Sequence, residues 1–206
     1  NLIFTSGTSG QPKAVKVTQA GMANLIHWHL KTFPSQRGEL IPQTAHISFD
    51  AAGWEIWSIL AAGAALLFWE RNSLLDPLTL QKALLSQQIQ QLFLPTPLAA
   101  LLLQLPWPAN TALKGLRTGG DRLPPFQPDH LPFQVWNHYG PSECSVVACA
   151  GPIKALQPGQ LPAIGQLLPG LKAEIWDPQG HLLPWGFPGQ LVLSGTGLSA
   201  GYLNSP

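Results

Sequence analysis

From Thr18 to Trp136 the sequence switches repeatedly between two periodicities, and this alternation limits the folds open to it. Thr18 opens a segment in which Met22, Leu25, Ile26, His29, Leu30 and Phe33 recur at helical spacing. Its hydroxyl is placed to cap that helix. Arg37-Gly38-Glu39 marks a turn. Residues 53–61 read as helix until Gly63 breaks them, and Ala65-Leu66-Leu67-Phe68-Trp69 reads as a buried strand. Asp76-Pro77 supplies an N-cap and a first-turn proline for a helix to about Gln88. Gln91-Leu92-Phe93-Leu94 is a short strand, Thr96-Pro97 starts a helix through Leu103, and Leu116-Arg117-Thr118 and Phe133-Gln134-Val135-Trp136 read as two more strands. Strands alternating with helices predict an α/β sheet. Such sheets bind ligands at the carboxyl ends of their strands, where Phe93, Gly119, His138 and Tyr139 fall. After residue 150 the texture turns all-β: Lys172–Trp176 and His181–Leu183 flank the hairpin signal Asp177-Pro178-Gln179-Gly180, and Leu191–Leu193 is a further strand. No internal repeat or low-complexity segment is visible.

Ahead of this alternation, directly after the apolar run Leu2-Ile3-Phe4, stands Thr5-Ser6-Gly7-Thr8-Ser9-Gly10-Gln11-Pro12-Lys13. Glycines let backbone N–H groups converge on an anion, hydroxyls add donors, and lysine adds a full charge. The combination suits a phosphate-holding loop. It is not a Walker A loop, which needs Gly-Lys-Ser/Thr opening a helix. Pro12 biases Gln11 away from the helical region, so extended chain, Ala14 to Val17, follows the loop. A Ser/Thr/Gly cluster on its own reads equally well as a polar surface turn.

Composition narrows the partners. Charged residues make up only 10% of the 206 residues, with a net charge of +1. This lacks the clustered Lys and Arg of a nucleic-acid binder. The longest apolar run, Ile56–Trp69, holds 14 residues, short of the roughly 20 that span a bilayer. Cys144 and Cys149 fit no zinc spacing and are too few for a disulfide scaffold. The expectation is a reduced, cytoplasmic setting, with neither nucleic acid nor membrane as partner.

Four stretches in order resemble the adenylate-forming superfamily, and specifically the adenylation domains of nonribosomal peptide synthetases. They are the Thr5–Lys13 loop, Ser48-Phe49-Asp50-Ala51-Ala52-Gly53-Trp54-Glu55, Asn137-His138-Tyr139-Gly140-Pro141-Ser142-Glu143, and Gly189–Gly195 running on to Gly201-Tyr202-Leu203. The resemblance implies part of the large N-terminal subdomain of that fold: a layered α/β sheet region over residues 1–150 carrying both sites, then a distorted β-barrel segment over 151–206, with no complete second domain. It also implies an amino-acid-adenylating ligase using ATP and Mg²⁺. The aminoacyl group would pass to phosphopantetheine on a carrier domain, beside condensation domains of the same synthetase. The chain reads as an internal fragment that lacks the family's C-terminal catalytic lysine, so no catalytic residue is assigned within it and it is not expected to act alone.

By the same resemblance Thr5, Ser6, Gly7, Thr8, Ser9, Gly10, Lys13, Gly120, Asn137, Tyr139, Gly140 and Ser142 would bind ATP, and Glu143 would hold Mg²⁺. Asp50, Ala51, Trp54, Phe93, Arg117, Gly119, His138, Val146 and Val147 would surround the amino acid. Read from the residues alone, Asp50 is first an N-cap for the helix beginning near Ala52, Glu143 a solvated turn residue, His138 structural and Arg117 solvent-facing. In amino-acid-activating members the aspartate at position 50 binds the α-ammonium, whereas acyl-CoA and aryl-acid ligases generally lack it. Those ligases are one alternative, and a non-catalytic nucleotide-binding segment is another. Most of the pocket set resembles pockets for leucine-like side chains, while Arg117 and His138 depart toward an acidic or strongly polar substrate. Ala14, Gln190 and Ala200 replace a glycine, a glutamate and an arginine usual in the family, and Ser142 replaces a threonine while keeping the hydroxyl.

Overall fold

The computed structural model describes residues 1–5, 12–70, 75–157 and 159–204. Strands β1 (Leu2–Thr5) and β2 (Lys13–Lys16) form an antiparallel hairpin in which Thr5 faces Lys13. Helix α1 (Gln19–Thr32) follows, its first turn capped by Thr18 Oγ1 accepting from Gly21 N at 3.0 Å. β3 (Leu40–Gln43) pairs in parallel with β4 (Ala65–Phe68) across α2 (Asp50–Ala61). α3 (Pro77–Ser86) is capped by Asp76, which accepts from Thr79 N at 2.8 Å. β5 (Gln91–Pro95), α4 (Thr96–Leu102), β6 (Gly115–Gly119) and β7 (Gln134–Tyr139) come next. β8 (Cys149–Pro152) and β9 (Gln166–Leu167) complete a five-stranded sheet ordered β5-β6-β7-β8-β9. Its first three strands are parallel and its last two pairings antiparallel. The sheet therefore continues past residue 150.

The two-residue period of the strands sorts side chains between two cores. Leu92, Leu94, Leu116 and Val135 point to the face covered by α3 and α4, where Leu80, Leu84, Ala99 and Leu102 are also buried. Each fully buried leucine contributes on the order of 2 kcal/mol. Phe93 points to the other face, with Met22 and Leu25 of α1 and Ala52 and Trp54 of α2. Cross-strand register places Phe93, Arg117 and Trp136 in one row and Pro95, Gly119 and His138 in the next, toward the carboxyl ends.

The last part of the chain is an antiparallel ribbon of β10 (Leu171–Trp176) and β11 (Gln190–Gly195). Among the described residues it does not close into a barrel. The Asp177–Gly180 turn forms as the sequence predicts, with Gly180 N donating to Asp177 O at 3.1 Å. The expected return strand at 181–183 is reduced to one bridge, Trp176 with Leu182, and β11 takes the pairing instead.

Candidate functional site

Two adjoining cavities lie at the carboxyl ends of β5, β6 and β7. The first, about 290 Å³, is lined by Asp50, Ala51, Phe93, Gly119, Val146 and Val147 together with His138. The second, about 480 Å³, is lined by Asn137, Tyr139, Leu161 and Ile164. Gly120, Asp121, His138 and Gly140 border both. Seven of the nine residues expected around an amino acid thus share one cavity, and Gly120, Asn137, Tyr139 and Gly140 of the expected ATP set share the other.

Backbone approach keeps this crevice open. A Cβ on Gly119 would stand 2.6 Å from the His138 carbonyl oxygen, and one on Gly140 2.6 Å from both Val146 O and Ala148 N. Only glycine fits at these two positions. The segment that Gly140 faces turns sharply, since Ser145 (φ 51°) and Val146 (φ 75°) are both left-handed. Such a conformation costs a β-branched residue about 1–3 kcal/mol and clusters at functional sites. Ser145 Oγ holds it in place by donating to Gly197 O at 2.7 Å.

A row of polar side chains runs from the smaller cavity to the β1–β2 hairpin. Asp50 is the first residue of α2 and makes no capping bond to its own helix. Its Oδ2 instead accepts from Ser142 Oγ. The cap expected from local sequence is therefore replaced by a contact reaching 92 residues along the chain. Next to Ser142, Glu143 Oε1 accepts from the Tyr202 hydroxyl at 2.5 Å, which pushes the phenol pKa up. Lys13 Nζ lies 5.3 Å from the centre of the Tyr202 ring. Asn137 Nδ2 donates to Ala163 O at 2.9 Å, which leaves its second amide N–H and the acceptor Oδ1 for the larger cavity. Of the phosphate-loop set, Ser6, Gly7, Thr8, Ser9 and Gly10 lie outside the described residues, while Thr5 and Lys13 flank them.

Trp54 and Arg117 do not line the smaller cavity; they lie beneath it. Trp54 is 1% exposed and stacks edge-on against Phe93, with its centroid 5.2 Å from both Phe93 and His138. Arg117 is not solvent-facing but buried. It donates from Nη1 to Gln91 Oε1 at 2.7 Å and sits 5.0 Å over the Phe33 ring. Burial lowers its pKa to about 10, leaving it charged at neutral pH. Burial, then the nearby Arg117 charge, lowers His138 to about 3. The same two causes, in the same order, hold His29 well below the usual range. His138 therefore meets the cavity as a neutral imidazole, and neither of its ring nitrogens has a partner among the described residues.

Glu55 was missed as a site residue by sequence reasoning. The signal was a carboxylate flanked by Trp54, Ile56 and Trp57 on a helix, where burial demands partners. It accepts from Ala45 N at 2.8 Å, Thr44 N at 3.1 Å and Gln43 Nε2 at 3.2 Å. Thr44 Oγ1 donates to Phe93 O at 2.7 Å. One buried group thus ties α2 to the loop after β3 and, through Thr44, to β5. Burial outweighs these hydrogen bonds and raises Glu55 to about 7.

No group of three or more His, Cys, Asp or Glu capable of holding a metal occurs among the described residues. Mg²⁺ needs less than that beside a nucleotide, because it keeps waters and shares phosphate oxygens with one or two protein carboxylates. Glu143 fits this role: Oε1 is fixed by Tyr202, and Oε2, without a hydrogen-bond partner among the described residues, can meet a hard cation.

The chain belongs to the AMP-binding enzyme family, whose pattern it matches over residues 1–203. Within that family it is of the adenylate-forming, nonribosomal peptide synthetase type. It is 40% identical over 207 aligned positions to a linear gramicidin synthase of Brevibacillus parabrevis, an alignment covering 100% of this chain and 3% of the relative. Bacitracin synthase 1 of Bacillus licheniformis is 35% identical over 205 positions, again covering 100% of this chain and 4% of the relative. The chain thus spans only a small part of the length of these relatives. The Vibrio cholerae adenylation domain AlmE, solved in complex with glycyl-adenosine-5'-phosphate, superposes with a TM-score of 0.85 at 26% identity, over 100% of this chain and 41% of AlmE. The N-terminal subdomain of Klebsiella oxytoca NpsA superposes with a TM-score of 0.79 at 24% identity, over 100% of this chain and 53% of that one, which defines the fold as part of such a subdomain. No helix among the described residues is long and apolar enough to cross a membrane.

Proposed function

We propose that this chain supplies the substrate-binding crevice of an enzyme that activates an amino acid with ATP for loading onto a phosphopantetheinyl carrier. The amino-acid carboxylate oxygen forms a bond to the α-phosphorus, the bond from that phosphorus to the bridging β-phosphate oxygen breaks, and pyrophosphate leaves with the electron pair. Catalysis here is chiefly positioning and charge stabilisation. Asp50 holds the α-ammonium at the mouth of the smaller cavity, exchanging its Ser142 contact for the substrate. Ser142 is then free to donate toward the reacting carboxylate or phosphate. Asn137 Oδ1 accepts from the adenine amino group while Tyr139 and Gly140 form walls of the larger cavity. Lys13 draws on its position beside the loop to hold phosphate charge. Mg²⁺, when bound at Glu143, supplies neutralisation of phosphate charge. Carrier and condensation domains of the same protein are the partners, and the cytoplasm is the setting.

The observation that carries this reading is Asp50. Its carboxylate opens a cavity whose walls are apolar, and its hydrogen-bond partner is a hydroxyl that a substrate ammonium can replace. Arg117 is committed to Gln91 and Phe33 beneath the floor, and His138 is neutral. The cavity therefore favours an uncharged, largely apolar side chain over an acidic one. A pyrophosphate-exchange panel of Leu, Val, Phe, Gln, Glu and Asp on the full-length protein tests this. Uncharged residues are expected to lead. Preference for Glu or Asp, abolished by Arg117→Leu, would reverse the assignment.

A further inference from the structure

The Gly201-Tyr202-Leu203 stretch has no task in the reaction described above, yet it is laced into the site. Lys16 N donates to Gly201 O at 2.9 Å, Ala200 N to Lys16 O at 2.9 Å, and Leu203 N to Ala14 O at 2.8 Å. Residues 200–203 therefore run antiparallel beside β2, with Tyr202 bridged to the fully buried Val15. On its other side the same segment is fastened to the turn that carries Glu143, Ser199 N donating to Glu143 O at 2.7 Å. The Tyr202 side chain spans the two anchor points. Its ring packs with the core around Val15 and lies 5.3 Å from Lys13 Nζ. Its hydroxyl donates to Glu143 Oε1 at 2.5 Å.

A phenylalanine would supply the packing equally well. The hydroxyl's partner is a carboxylate, and a bond to a charged acceptor is short and about twice as strong as a neutral one. It removes one rotor from a flexible glutamate and leaves a single oxygen, Oε2, without a partner among the described residues. The ring below it sets the height of Lys13, since a cation rests favourably over an aromatic face. One side chain thus touches both charged groups that the reaction places at the phosphate end.

We propose that Tyr202 is a positioning residue for metal–nucleotide binding, holding Glu143 ready for a divalent cation and seating Lys13 beside it. This rests on the nucleotide reading given above. Mn²⁺ binding to the full-length protein, followed by electron paramagnetic resonance with α,β-methylene-ATP present, tests it without turnover. Tyr202→Phe keeps the ring and removes the hydroxyl. It is expected to weaken Mn²⁺ binding roughly tenfold, the size of one charge-assisted hydrogen bond. The KM for Mg·ATP should rise in step, while the KM for the amino acid stays within about twofold. In a Glu143→Gln background the same substitution should have almost no further effect on Mn²⁺ affinity, because the pair acts through one carboxylate. Unchanged Mn²⁺ affinity in Tyr202→Phe, or an equal loss in both backgrounds, would overturn the proposal and leave the nucleotide reading standing. A wild-type protein that binds no metal–nucleotide at all would overturn both.

Discussion

Asp50→Ala in the full-length protein is expected to lower amino-acid-dependent pyrophosphate exchange by about a hundredfold or more. Removing one member of a desolvated charge pair leaves the other without compensation, at about 3–5 kcal/mol. The loss falls on the ammonium: the other carboxylate bordering the cavity, Asp121, is exposed and its Oδ1 already accepts from Arg122 N. Loss of a helix cap would cost only about 1 kcal/mol, and Asp50 makes no capping bond to lose. The thermal midpoint should therefore move little while activity collapses. Exchange measured at saturating ATP across a range of amino-acid concentrations separates the two. A decline under tenfold would return Asp50 to a local structural role.

The second large effect concerns Glu55. Its pKa is raised from 4.5 to about 7, so between those values the folded protein keeps a proton that the unfolded chain has released. Stability from this group is fully present below about pH 4.5, declines as pH rises toward 7, and is flat above it. Integrated over that window the change is about 3 kcal/mol. Glu55→Gln cannot ionise and should remove this slope: relative to it, wild type loses several degrees of thermal midpoint between about pH 5 and pH 8. Glu55→Ala strips the acceptor from the backbone N–H groups of Thr44 and Ala45, each worth about 1–3 kcal/mol when buried and unpaired. It should be strongly destabilised at every pH. Parallel pH profiles for wild type and Glu55→Gln would show that Glu55 ionises as an ordinary surface carboxylate does.

Much of the frame is legible because its signals are local. Thr18 and Asp76 cap the helices they precede, β5 holds the apolar run Leu92-Phe93-Leu94, and β6 and β7 each carry a shorter apolar stretch, Leu116 and Val135-Trp136. β3 escapes notice because Pro42 argues against a strand; it is tolerated in a two-stranded pairing with β4. β8, Cys149-Ala150-Gly151-Pro152, contains no β-branched residue and is a strand because β7 templates it. The cavity residues Gly119 and His138 could be placed at strand ends without coordinates, whereas Phe93, expected there too, sits mid-strand because β5 runs on to Pro95. What the sequence could not convey was direction. Arg117 turns from the cavity because Gln91 and Phe33 await it below, and Asp50 turns from its helix toward Ser142. Both outcomes depend on residues brought close only by the tertiary fold. Tyr202 illustrates the same limit, since its position in the motif was visible but its contact with Glu143 spans 59 residues.

The most direct measurement is pyrophosphate exchange by the full-length protein with its preferred amino acid and with the des-amino analogue of the same side chain. An Asp50 carboxylate that pairs with the α-ammonium predicts exchange with the amino acid and little above background with the analogue. Equal exchange with both would contradict an amino-acid-activating crevice and place the chain among ligases of simple carboxylic acids.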